Sequence, residues 1–392
     1  MNKVVLCSLF VLVFFIPIEN LIVFSTFGTL TRVIGAFAFL VGVISVLIDK
    51  RGRPFGPFLF FFIFYILWSM ATILWSVDSN MSQIATKSLI QLFLFVWLLW
   101  EFAQTENQVL LLFKGYVCGC FVSAIYTLTA YQRHEQTAYS RYSMEGFDPN
   151  DIGLIITLGI PLAWYVFKKV EGRIQKAFFF MYVPIAVFAV FLTASRTAFL
   201  ALLVALFYII ISQENVKLKS KVAFLMLSCF FALVIYQMVP STNWSRILSI
   251  GHEVASGNLN SRMNIWTDGL RVFGGSPVFA ALGVGVGAFR FSVEPLFGYP
   301  AASHNLFLSI LVGQGMVGFL IFMAMVLSLV KKVVGMELLG KRLWIIMLVA
   351  LFVGGMGLSW DGRKPTWLIF GLIAAHGTVN SKEFKVVTRV TG

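Results

Sequence analysis

The chain has 392 residues, 59% of them hydrophobic and 12% charged, with a mean hydropathy of +0.88 and a formal net charge of +13. A soluble domain carries about 25% charged residues; half that share leaves too little polar surface to coat a water-soluble body, so the class is membrane. The positive charge sits in short segments between apolar runs, where it sets orientation, and this argues against nucleic acid as a partner.

A helix needs roughly 20 apolar residues to cross the hydrocarbon core. That test predicts spans near 3–18, 32–48, 57–75, 87–104, 109–130, 152–167, 177–194, 197–212, 222–239, 304–330, 343–359 and 366–379. The expected fold class is all-α: a polytopic membrane protein of about 12 transmembrane helices, with 1–392 forming one integral membrane domain. The first apolar run is read as a retained span, because Pro17-Ile18-Glu19-Asn20 follows it without a small-residue cleavage site. With the N-terminus inside, the inner segments hold eighteen Lys and Arg, grouped at Lys3, Lys50 to Arg53, Lys168 to Lys176, Lys217 to Lys221, Lys331 to Arg342, and Lys382 to Arg389. The short outer segments hold seven: Arg32, Lys87, Arg133, Arg141, Arg196, Arg363 and Lys364. This bias predicts cytoplasmic N- and C-termini. Two outer segments are long, 131–151 and a loop at 240–303 that is expected to be partly helical. Functional groups gather on loops carried by a rigid scaffold, so the chemistry is expected outside. Cys7, Cys118, Cys120 and Cys229 lie inside apolar runs, with no metal-site spacing and no disulfide expected.

The first candidates along the chain are Asp148 and Asn150, in Asp148-Pro149-Asn150-Asp151. The two carboxylates form the one close pair on the outer side, yet Pro149 and a following helix make turn and cap the simpler reading. No metal is expected. Arg196 sits in Thr193-Ala194-Ser195-Arg196-Thr197, the polar break in an apolar run from Phe178 to Ser212 that is long enough for two spans. It is either a snorkelling Arg at a helix end or an anion site, since its planar fork suits phosphate oxygens and a helix N-terminus adds positive potential. In the long loop, Asn260-Ser261 can cap a helix running to about Phe273, with Met263, Trp266, Leu270 and Phe273 as its apolar stripe. Arg262, in its first turn, opposes the helix dipole and hints at an external negative partner; an ordinary exposed Arg is the alternative. Arg246, Arg271 and Arg290 are weaker outer candidates. Gly283-Val284-Gly285-Val286-Gly287 has the wrong spacing for a dinucleotide fingerprint. His304, in Ser303-His304-Asn305-Leu306, opens the tenth span as an interfacial residue or as a general base with an unperturbed pKa of about 6.5.

Together these residues resemble the O-antigen ligase and Wzy-type polymerase superfamily. His304-Asn305, nine residues, then Gly315-Met316-Val317-Gly318 is similar to the family's His-(Asn/Ser/Gln)-x9-Gly-x-x-Gly motif. Thr193 to Thr197 is similar to its Ser-Arg-(Thr/Gly) turn between two spans. Arg262 and Trp266, followed by Ser276-Pro277 and Gly283 to Phe289, are similar to its Arg-x-x-x-Trp and Pro/Gly-rich turn. Gly146 to Asn150 also looks familial, so the likeness covers about 146–320.

The resemblance implies a GT-C-like helical glycosyltransferase of the bacterial inner membrane, its active site facing the periplasm and its donor a glycan on undecaprenyl diphosphate. Carried over residue by residue, Arg196 and Arg262 would hold the diphosphate and His304 would act on the acceptor hydroxyl. Asn305, Trp266, Arg290, Asp148 and Asn150 are weaker candidates, and no cofactor is implied. The acceptor is lipid A–core for a ligase and a growing glycan for a polymerase; some relatives glycosylate proteins. The close His motif leans toward ligase. The other class, a polytopic transporter or lipid flippase, calls for ionisable groups near the bilayer midplane, broken helices and inverted repeats. Lys114, near an inner end, is the clearest charge inside a span, and no repeat is visible.

Overall fold

A computed structural model of the chain describes residues 2–26, 28–49, 52–137, 140–213, 218–256 and 262–376. These are mostly helical, with one short antiparallel pair, Val23–Phe24 against Gly28–Thr29. The first half runs α1 (Asn2–Phe15), α2 (Leu30–Asp49), α3 (Pro57–Thr72), α4 (Ser79–Phe102), α5 (Glu106–Gln132), α6 (Pro149–Lys169), α7 (Arg173–Leu192), α8 (Arg196–Ile211) and α9 (Leu218–Met238). The outer segment follows as α10 (Ser241–Leu248), α11 (Ile250–Ser256), α12 (Arg262–Gly274), α13 (Pro277–Leu282), α14 (Phe289–Ser292) and α15 (Glu294–Phe297). The chain returns through α16 (Leu306–Val334), α17 (Leu338–Gly355) and α18 (364–376).

Helix fills all or most of each of the twelve segments expected from hydropathy. Among the described residues seven helices are long and apolar enough to cross a membrane: α2, α4, α5, α6, α7, α16 and α17. Helices Lys3–Ile18, α3, α8 and Cys229–Met238 are apolar but shorter. α3 ends at Thr72, at a corner on which a later loop docks, and α8 begins at Arg196, where the Ser195 hydroxyl accepts from Ala198 N and caps it. Lys50, Arg51, Lys217, the Asn260-Ser261 cap, and Lys382, Lys385 and Arg389 lie outside the described residues.

The main core is an apolar cluster that runs through most of the helices, with Phe62 stacked on Trp367 at 4.1 Å, and a second, smaller cluster gathers Ile265, Val284, Phe289 and Val312. α6 lies at its centre and α2 at its edge: 83% of the α6 span is buried and 22% of the α2 span. The basic residues expected inside and outside sort to opposite ends of this bundle. At one end Arg53, Arg342 and Lys332 donate to the carbonyls of Trp100, Ile211 and Ala374, each in the last turn of a helix, where carbonyls lack intrahelical partners. At the other end Arg363 pairs with Asp151, Lys364 with Glu19, and Arg141 donates to Thr193 O.

One span is broken. Gly315, ten residues after Asn305 and so roughly 15 Å along the axis of α16, has φ 66° and interrupts the helix. The carbonyls of Val312 and Gly313 accept instead from Val284 N (3.0 Å) and Gly285 N (2.8 Å). Irregular backbone inside a span is tolerated where protein groups satisfy it. Here the Gly283–Gly287 run does so, lying across the break. The same run is held from its other side by the corner between α3 and α4: Val77 N donates to Val284 O, Trp75 Nε1 to Gly283 O, and Val286 N to Thr72 Oγ1. Side chains do not fit: a Cβ on Gly283 would stand 2.4 Å from Gly313 O, and one on Gly315 2.4 Å from Ala281 O. The glycine run, matched in sequence only to a familial Pro/Gly-rich turn, is the backbone patch of a split helix.

Candidate functional site

The Thr193–Thr197 segment is the tight turn between two helices that hydropathy predicts. Thr193 caps the end of α7, Ala194 takes a left-handed conformation with φ 45°, and Arg196 begins α8. Helices α10 and α11 fold over this turn. Asn243 Nδ2 donates to Phe191 O and Leu192 O, satisfying carbonyls at the end of α7. Arg196 is gripped by the cover: Nε donates to Arg246 O (2.8 Å), Nη2 to Ser249 Oγ (2.9 Å), and both Nη atoms to the Glu253 carboxylate. That two-point pairing is the geometry an Arg fork makes with carboxylate or phosphate.

Beneath the turn lies Arg141, 4% exposed. Its Nε donates to Thr193 O (2.7 Å) and its Nη2 to Asn150 Oδ1 (2.8 Å), so one guanidinium ties the α7–α8 turn to the first turn of α6. Asp148 caps α6, accepting from Asn150 N at 2.7 Å, which is the bland role foreseen for the Asp-Pro-Asn-Asp segment. Asp151 turns the other way, accepting from Trp360 Nε1 and Arg363 Nη2.

Arg262 opens α12 as expected, but the buried face of that helix is Ile265, Asp268 and Gly269, while Met263 and Leu270 are exposed. The predicted stripe is displaced around the helix. Gly269 lets the Phe289 ring approach so closely that a Cβ would meet Cε2 at 2.8 Å, and this contact turns the Ile265–Gly269 face inward. Trp266 stays half-buried and donates from Nε1 to Ser303 O at 2.8 Å, so α12 grips the residue before His304. Ser303 Oγ also meets Ser359 Oγ at 2.8 Å. His304 follows with φ 45°, and Asn305 Oδ1 accepts from Phe307 N and Leu308 N to cap α16. The spacing of the His motif thus has a structural meaning: cap at Asn305, half-helix, break at Gly315.

The three principal candidates are brought together. A Cβ on Gly357 would meet both Thr197 Oγ1 (2.3 Å) and Arg262 Nη1 (3.1 Å), so Arg262 reaches the first turn of α8. His304 is held below its ordinary pKa of 6.5 by burial and then by the Arg262 cation, with Asp148 and Asp151 opposing. Arg262 is itself lowered, mainly by burial; among the neighbouring charges, Arg196 and Arg246 lower it further while Asp148 and Glu253 oppose. Burial, with Arg246 next, brings Arg141 down to about 10. Arg141, Arg196, Arg246 and Arg262 make a concentrated positive site, and Arg196 and Arg262 begin α8 and α12, whose N-termini add to it. Arg290 does not join it: it is exposed on α14, its guanidinium 5.3 Å from the Phe291 ring centre. Among the described residues no group of three or more His, Cys, Asp and Glu is arranged to hold a metal ion. Arg141 and Glu253 were missed as site residues. The sequence offers Arg141 only as an orientation charge, and Glu253 stands in no motif.

Residues 181–323 match the family described as O-antigen ligase, Wzy_C, a stretch that holds Arg196, Arg262, His304 and both glycines of the His motif. The superfamily likeness read from the motifs therefore stands. No curated protein matches the chain.

Proposed function

We propose, taking the O-antigen ligase domain at residues 181–323 as premise, that this protein is a membrane glycosyltransferase of GT-C-like build that moves a glycan from undecaprenyl diphosphate to lipid A–core at the outer face of the inner membrane. The observation that carries the reading is the fork of Arg196: it stands at a helix N-terminus beside Arg262 and is already filled by a two-oxygen anion, the Glu253 carboxylate. In the reaction the donor's diphosphate takes that place. The acceptor oxygen attacks the anomeric carbon from the face opposite the diphosphate, the bond from that carbon to the diphosphate oxygen breaks, and the configuration inverts. His304, neutral because its pKa is depressed, accepts the hydroxyl proton, and undecaprenyl diphosphate leaves with the bonding electrons. Because charge grows on the leaving oxygens, fixed cations stabilise the transition state more than the ground state. Two guanidiniums supply this without a metal ion, and no general acid is needed.

The test is transfer by purified protein in nanodiscs, supplied with lipid-linked glycan and lipid A–core. The expected product is glycan on the core, with full activity in excess EDTA. His304→Ala is expected to lower kcat by about 10²–10⁴, and Arg196→Ala by about 10²–10³. Wild-type rates in either variant would overturn the mechanism. Lengthening of the lipid-linked glycan in the absence of core would assign the protein to the polymerases of the same superfamily.

A further inference from the structure

A cavity opens in the molecule apart from the Arg196–His304 group. It holds about 470 Å³ between α1, α2 and α4, and is closed at its outer end by residues 362–364. Its depth is mostly apolar, walled by Leu12, Phe39, Phe95 and Leu98, with Ser88 and Gln91 of α4 also lining it. Its mouth carries Arg32, Arg363 and Lys364; Asp151 answers Arg363 and Glu19 answers Lys364, which among the described residues leaves Arg32 as the excess cation. The two ends ask for different things of an occupant. A free anion gains nothing from the apolar depth, and a bare hydrocarbon leaves the Arg32 cation unanswered. One molecule with both an anionic head and a chain satisfies the whole cavity. The flanking helix is consistent with this: α2 is the least buried of the seven long helices, at 22%, as expected of a span that borders a space filled by lipid.

We propose that this cavity is a binding site for an anionic phospholipid of the outer leaflet, with one acyl chain between α1, α2 and α4 and the phosphate at Arg32 and Lys364. The phosphate shares Lys364 with Glu19, which the ammonium already contacts. The site is separate from the transfer chemistry, so its failure would leave the reading of the Arg196–His304 group intact.

Two substitutions divide the head from the chain. Arg32 is exposed, so Arg32→Gln leaves the fold in place. Gly35 lines the cavity, and a Cβ there meets only Leu12, at 3.8 and 3.9 Å, so Gly35→Phe projects into the space without displacing the backbone. The protein is placed in phosphatidylcholine nanodiscs with a trace of phosphatidylglycerol or phosphatidylcholine bearing a photoreactive acyl chain, and crosslinked peptides are mapped. The expected result is capture at Leu12, Phe39 and Phe95, about tenfold more from phosphatidylglycerol than from phosphatidylcholine. Arg32→Gln removes that preference, and Gly35→Phe removes capture of both lipids at these residues. Inorganic phosphate at millimolar concentration leaves the capture unchanged. Equal capture of the two lipids, capture surviving Gly35→Phe, or displacement by inorganic phosphate would each overturn the proposal.

Discussion

At the scale of single residues, the site is defined by how each charge is answered. His304 is depressed by burial and the Arg262 cation, so in the free enzyme its base form is lost only as pH falls through a value below 6.5. The acid limb of kcat/KM, which reports the free enzyme, is therefore expected under that value, with a plateau above it. Bound diphosphate adds negative charge beside the imidazole and raises its pKa, so the limb of kcat lies at higher pH than that of kcat/KM. Coincident limbs would argue against a diphosphate next to His304. Glu253 gives a second prediction. Its carboxylate occupies the Arg196 fork that the donor needs, and Glu253→Gln removes the competing charge; donor KM should fall about tenfold with kcat maintained, and a rise in KM would contradict the exchange. Arg196, Arg262 and His304 were legible in the sequence because each sits in a short motif with its own local context. Glu253 and Arg141 were not, because their meaning rests on partners 57 and 52 residues away in the chain.

At the scale of elements, helix ends do most of the positioning. Arg141 fastens the α7–α8 turn to α6 through two bonds in different directions. A lysine has no planar fork with which to reach both, so Arg141→Lys is expected to cost roughly 10² in kcat through misplacement of Arg196, with little change in donor KM. Wild-type kcat in that variant would remove Arg141 from the positioning scheme. The split in α16 is the other decisive element. Gly315→Ala puts a Cβ where Ala281 O stands at 2.4 Å, at a φ of 66°, and should destabilise the protein by about 4 kcal/mol or more, read as lost monodisperse protein in detergent. Gly274→Ala, with nothing within 4 Å of its Cβ, is the neutral control. Helices were legible from hydropathy and α12 from its period, but the inward face of α12 was not. Four apolar residues at helical spacing were a fair stripe until Gly269 admitted Phe289, and a missing side chain carries no hydrophobic signal.

At the scale of the molecule, composition alone established a helical membrane protein, and charge bias separated the two ends that the structure keeps apart. The sidedness itself is open to a direct measurement in a cysteine-free background. Leu296→Cys and Leu338→Cys place exposed thiols at opposite ends, with the native residues 53% and 51% exposed. A membrane-impermeant maleimide should label the first in intact spheroplasts and the second only after permeabilisation; the reverse pattern would put the Arg196–His304 group on the cytoplasmic side. What hydropathy could not count is how many helices reach full span length, since α3 stops at a corner whose docked loop only the assembled chain brings in. The Gly283–Gly287 patch has a further consequence for modularity. It belongs by sequence to the outer loop, yet its hydrogen bonds go to α16 and to the corner between α3 and α4. Exchange of outer loops between relatives, the natural way to transplant acceptor preference, would therefore need its seam before Gly283, with 283–315 and the 72–82 corner kept from one parent.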